Sequence, residues 1–125
     1  MQIATNHFGH FILTAELLPL ISKAEAPRIV NVASSAQKFA PKAERFLADI
    51  NAKKKYSPWP QYGVTKLCNM LFTYELVLRL KSKYPKIIVG GQGSSQPQCP
   101  PQNSITSLKS IASLPGCIAA LCLWH

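Results

Sequence analysis

Between two long stretches of helical periodicity stands one short run rich in β-branched residues, Arg28-Ile29-Val30-Asn31-Val32-Ala33, closed by Ser34-Ser35. A hydrophobic run of that length ending in small polar residues reads as a buried parallel strand. The order helix, strand, helix then predicts an α/β architecture, with the strand placed between the long helices. In open α/β sheets, ligands bind beyond the carboxyl ends of the strands, so Ser34 and Ser35 stand where chemistry is normally done.

The flanking helices are read from spacing. From Gln2 to about Ser22, Ala4, Phe8, Phe11, Ile12, Ala15 and Leu18 recur at helical intervals, and Leu17 and Leu20 widen the stripe. Pro19 is expected to kink or end this helix near its last turn, and Pro27 closes the linker that follows. The second helix is expected from about Tyr62 to Lys83, with Leu67, Met70, Leu71, Tyr74, Val77, Leu78 and Lys81 along one face. The intervening segment, Gln37 to Gln61, is polar and basic, is interrupted by Pro41, Pro58 and Pro60, and reads as a substrate-side loop with a short helix around Ala43 to Ile50. After Ile87-Ile88-Val89, a strand start, come Gly90-Gly91-Gln92-Gly93-Ser94-Ser95-Gln96-Pro97 and further prolines, a composition that argues against packing and for a flexible connector. The chain therefore divides into a folded part, 1–89, and a disordered or aberrant tail, 90–125.

Other classes find less support. The net charge of +9 is densest at Lys38, Lys42, Arg45 and Lys53-Lys54-Lys55, but Glu44 and Asp49 dilute it and no nucleic-acid motif accompanies it, so a solvated loop is expected and no nucleic-acid partner. The four cysteines form no Cys-x-x-Cys pair and no secretory signal precedes them, which fits a reducing intracellular compartment, cytoplasmic or other. The most apolar tail stretch, Ile111 to Trp124, contains Pro115 and Gly116 and falls short of the roughly 20 residues a membrane span needs, so the chain reads as soluble. His7 and His10 stand three apart on a helix, but no carboxylate or cysteine joins them; surface or packing roles are expected, and no metal site. Tyr56 and Trp59 either line an apolar substrate pocket or cover the edge of the core.

Tyr62-Gly63-Val64-Thr65-Lys66 opens the second helix, and a Tyr and a Lys four residues apart share a helical face. Alone, such a pair is commonplace. Its neighbours give it weight: Asn6-His7-Phe8-Gly9-His10-Phe11 in the first helix, the strand Arg28 to Ala33 with Ser34-Ser35, and Tyr62-Gly63-Val64-Thr65-Lys66-Leu67-Cys68-Asn69 follow one another in order. From Gln2 to about Val89 the chain resembles the short-chain dehydrogenase/reductase family. The likeness is nearest to its retinol dehydrogenase, protochlorophyllide reductase and WW-domain oxidoreductase subgroup, where the loop between Ser and Tyr is long, as here.

The resemblance implies a partial Rossmann-like α/β fold and a carbonyl or alcohol substrate, lipid-like in that subgroup. It implies catalytic roles for Tyr62, Lys66, Ser34 and Asn6, with Ser35 the near competitor of Ser34. It implies NAD or NADP as hydride donor, with Lys66 and Tyr62 on its nicotinamide side and Asn6 holding a water that links Lys66 to solvent. The chemistry suits these residue types. A nearby ammonium favours the phenolate form of a phenol, and a serine hydroxyl can stabilise charge developing on a carbonyl oxygen.

Two departures stand against the family pattern. The cofactor-binding half, with its Gly-rich turn, is expected roughly 100 residues before Asn6, where this sequence has none, and the likeness breaks off abruptly after Val89. A truncated member, through splicing, a retained intron, a frameshift or a faulty gene model, is the expectation. Two readings follow: a short-chain NAD(P)-dependent oxidoreductase, or a non-enzymatic fragment that at most associates with full-length relatives through the two long helices.

Overall fold

The computed structural model describes residues 2–93 and 96–98. The first helix begins with a π-helical turn, Ala4–Phe8, that runs directly into α1, Gly9–Ile21. Pro19 lies inside α1 and the helix stops two residues later, where the Ser22 hydroxyl donates to the Pro19 carbonyl. Strand β1, Arg28–Val32, follows, then a 3₁₀ turn, Ser35–Phe39, and a short helix α2, Ala43–Leu47.

The last helix, α3, spans Pro58–Lys83 and begins four residues before Tyr62. Pro58 and Pro60, expected to interrupt a loop, sit in its first turn, where the absent amide hydrogen costs nothing and the fixed φ is already helical. Tyr62 thus stands a full turn inside the helix rather than at its tip.

Strand β2, Ile88–Gly93, pairs in parallel with β1 in the register Ile29↔Val89 and Asn31↔Gly91, and β3, Gln96–Gln98, pairs with β2 in the antiparallel sense. The partial Rossmann-like architecture is therefore present, with a parallel pair at its centre. The glycine cluster Gly90, Gly91 and Gly93 is not a connector but part of β2, which crosses the boundary expected after Val89. Backbone pairing with β1 supplies what glycine's weak strand preference lacks. The remainder of the expected tail, with the apolar stretch Ile111 to Trp124, lies outside the described residues.

Both long helices cover one face of the sheet. Leu18 of α1, Phe72, Leu76 and Leu80 of α3, and Ile29, Ile87 and Val89 of the sheet form one buried cluster. A second cluster joins Ile3, Phe46, Val64 and Cys68 beneath the loop. On the opposite face Val30, Val32 and Ile88 are 58–60% exposed. Burial alternates along β1, so neighbouring residues of like chemistry have opposite worth. Ile29→Ala is expected to cost about 3 kcal/mol, whereas Val30→Thr should stay within about 0.5 kcal/mol. Denaturant midpoints of the two variants check the contrast.

The buried stripe of α3 is also not the one that hydropathy suggests. Val64, Cys68, Phe72, Leu76 and Leu80 are buried together with Thr65, Asn69 and Thr73, while Leu78 is half exposed and Lys81 is exposed. Among the described residues no helix is long and apolar enough to cross a membrane.

Candidate functional site

The polar residues on the buried side of α3 face the π-helical turn and the carboxyl end of β1. Thr65, Lys66, Asn69 and Thr73 are each at most 9% exposed, and buried polar groups must find partners or cost stability. They find them across the fold. The Thr73 hydroxyl accepts from Asn31 Nδ2 at 2.9 Å and donates to the Asn69 carbonyl at 2.8 Å. The Thr65 hydroxyl accepts from Asn6 Nδ2 at 3.4 Å and donates to the Tyr62 carbonyl at 2.8 Å.

Lys66 is aimed at the strand end. Its Nζ donates to the Val32 carbonyl at 3.3 Å and stands 5.4 Å from the centre of the Tyr62 ring. Ser34 follows that carbonyl by two residues. Its Oγ accepts from the Ala36 amide at 3.2 Å as it caps the 3₁₀ turn, and an accepting hydroxyl keeps its own hydrogen to donate. Tyr62, Lys66 and the strand end leading to Ser34 are thus brought to one side of the fold, and Asn6 joins them through Thr65.

Gly63, next to Tyr62 and packed against the 3₁₀ turn that follows β1, was not marked by the sequence as special. A Cβ there would stand 2.7 Å from the Ala36 carbonyl oxygen and 2.8 Å from the Ala40 amide nitrogen. Both are backbone atoms of the segment that Ser34 caps, so nothing flexible can give way. Gly63→Ala is expected to destabilise the chain by about 1–3 kcal/mol, a lowered thermal midpoint being the check. By contrast, Gly90 has nothing within 4 Å of its Cβ position.

His7 belongs to the same network, not to the surface. Its Nδ1 lies 3.0 Å from Asn69 Oδ1, and its ring meets Phe72 edge-on at 6.1 Å. Burial holds its pKa below the usual 6.5; the hydrogen bond to Asn69 pulls the other way and His10 adds a smaller lowering. Because the unfolded chain then binds the proton more readily, His7 contributes stability that is present above about pH 6.5 and lost as pH falls below it. Unfolding free energies measured between neutral pH and pH 5 should fall, and His7→Asn should flatten that slope.

The loop before α3 is held by its own contacts. The Asp49 carboxylate accepts from the Lys54 and Lys53 amides, which lower its pKa, and Gln61 Nε2 donates to the Ile50 carbonyl. A cavity of about 370 Å³ opens here, lined by Phe39, Arg45, Phe46, Lys54 and Val64 among others. Neither Tyr56 nor Trp59 lines it, and both are largely exposed.

The chain is similar to retinol dehydrogenase 14 of Mus musculus, 41% identical over 81 residues that make up 65% of this chain and 23% of the relative. It is also similar to human retinol dehydrogenase 11, 40% identical over 65% of this chain and 24% of that protein. A crystal structure of an uncharacterized protein from Mycobacterium paratuberculosis matches with a TM-score of 0.60 and 38% identity, over 74% of this chain and 32% of that one. The chain spans about a quarter of the length of the curated relatives it matches. No family model matches.

Proposed function

We propose that this chain, which belongs to the short-chain dehydrogenase/reductase family, forms the catalytic half of an NAD(P)-dependent oxidoreductase that interconverts a carbonyl and an alcohol. In this reading the Tyr62 hydroxyl gives a proton to the substrate oxygen in the reducing direction and takes it back in the other. The Lys66 ammonium lowers the cost of negative charge on Tyr62 and reaches the nicotinamide ribose. Ser34 donates to the substrate oxygen, where charge develops. Asn6, linked to Thr65 beside Tyr62, holds the water through which Lys66 exchanges protons with solvent.

When bound, NAD or NADP supplies the hydride. The residues here suit its nicotinamide end, through Lys66 and Tyr62, while the 125-residue sequence carries no Gly-rich motif of the kind that holds its pyrophosphate. The similarity to retinol dehydrogenases supports a lipid-like substrate.

The observation that carries the reading is the Lys66 ammonium held between the Tyr62 ring and the carbonyl of Val32, the residue two before Ser34 in sequence. A chimera tests it, with the 81 matched residues of this chain replacing their counterparts in mouse retinol dehydrogenase 14. NAD(P)H-dependent reduction of a retinoid aldehyde by the chimera is the expected result. A chimera that folds and binds cofactor yet never turns over would contradict the reading.

A second reading has one observation in its favour. On α1, Leu13, Leu17 and Leu20 are 41–68% exposed and, at 100° per residue, lie on one side of the helix about 100–160° round from the buried Leu18. That apolar row supports association of the chain with a relative through its first long helix, whether or not the chain itself catalyses.

A further inference from the structure

Among the described residues the sheet offers the Val32 carbonyl no partner. The Ala33 amide donates to the Gln92 carbonyl at 2.8 Å, and in a parallel ladder alternate residues point their backbone groups to opposite sides. Val32 therefore turns its carbonyl away from β2, toward the edge of β1 that no other described strand pairs. Two side chains of α3 take it up: Lys66 Nζ at 3.3 Å and Asn69 Nδ2 at 3.2 Å.

Asn69 makes a second bond with the same nitrogen, to the Asn6 carbonyl at 2.9 Å in the π-helical turn. Two carbonyl oxygens face one end of its carboxamide, and only an NH₂ group can serve both. The orientation of the amide is fixed by that. Its oxygen must then face His7 Nδ1, 3.0 Å away, and an oxygen cannot donate, so His7 carries a hydrogen on Nδ1. A ring held neutral by burial keeps that tautomer, with Nε2 bare.

We infer that Asn69, oriented by the Nδ1–H of His7, is a positioning residue for Lys66: it pins the Val32 carbonyl against which the lysine ammonium is aimed. Asn69 is 1% exposed and shares its acceptor with Lys66, so a shift of the amide moves the anchor of the ammonium and with it the distance to Tyr62. His7 lies 62 residues from Asn69 in the chain, so the pair also ties the π-helical turn to α3. The inference rests on Lys66 acting in the proposed chemistry, but its test needs neither cofactor nor turnover.

The test is nitrogen NMR on the ¹⁵N-labelled full chain. The unsubstituted protein should show His7 as the Nδ1–H tautomer and a protected Lys66 ammonium signal, assigned by its loss in Lys66→Arg. His7→Asn places an NH₂ group close to where Nδ1 stood and should keep the Lys66 signal. His7→Leu should speed exchange of the ammonium hydrogens about tenfold, the factor that loss of one charge-assisted hydrogen bond implies. An Nε2–H tautomer in the unsubstituted protein overturns the inference without any substitution, even if His7→Leu fails to fold. So does a Lys66 signal that is the same in folded His7→Leu as in His7→Asn. If the chimera described above turns over and His7 nevertheless leaves Lys66 unmoved, the positioning role falls while the catalytic reading stands.

Discussion

Titrated with NADH or NADPH at about 100 μM, the purified 125-residue chain is expected to give no saturable heat of binding. The dinucleotide's pyrophosphate is ordinarily held by backbone amides of a Gly-rich turn at a helix N-terminus, where the amides and the helix dipole both favour the anion. Of the six glycines in the sequence, none of the five among the described residues supplies such a turn. Gly9 begins α1 as the continuation of a π-helical turn, Gly63 is packed inside α3, and Gly90, Gly91 and Gly93 belong to β2; Gly116 lies outside the described residues. Lys66 and Tyr62 could then contact the nicotinamide end alone. If the missing anchors are worth even about 4 kcal/mol, affinity falls roughly a thousandfold, and a micromolar cofactor becomes a millimolar one. Saturable binding at that concentration would mean that the chain holds the dinucleotide by contacts other than a Gly-rich turn.

The α/β order was legible because β1 is short, β-branched and bounded by Pro27 and by Ser34-Ser35, signals that act within a few residues. Features that depend on partners far along the chain were not. Strand β2 runs through three glycines that by themselves predict a connector, and only the register with β1 makes them a strand. The buried side of α3 carries Thr65, Asn69 and Thr73, so a reading by apolar spacing selects Leu67, Met70 and Leu78 instead and turns the helix the wrong way. Pro58 and Pro60 look like breakers until they are seen in a first turn, where proline is welcome.

The candidate site shows the same division. Tyr62 and Lys66 share a helical face, a spacing that is commonplace alone and draws its weight only from the neighbouring motifs and the family resemblance they carry, while Ser34 stands out by its place at a strand end. Gly63 gave no local sign of its role, because its constraint comes from the backbone of Ala36 and Ala40. His7 invited only a surface or packing reading, since its partner Asn69 is remote in sequence. Asn69 closed the third motif without declaring a role. A buried polar stripe interleaved with an apolar one on α3 is the signal that would have pointed to both.

In the proposed chemistry Tyr62 carries the proton. A phenol that donates to a developing alkoxide in the transition state contributes a factor of about 10²–10⁴ as a general acid. Tyr62→Phe removes only the hydroxyl: the Tyr62 carbonyl still accepts from Thr65, and a phenyl ring still faces the Lys66 ammonium and the Trp59 ring. The fold and the cofactor contacts outside this segment should therefore survive the substitution. The decisive measurement is kcat for carbonyl reduction by the chimera with and without Tyr62→Phe, at saturating NADPH. A fall of at least about a hundredfold, with the affinity for NADPH little changed, is the result expected of a general acid. Turnover that persists within a few-fold of the unsubstituted chimera would contradict the assignment and show that another group delivers the proton.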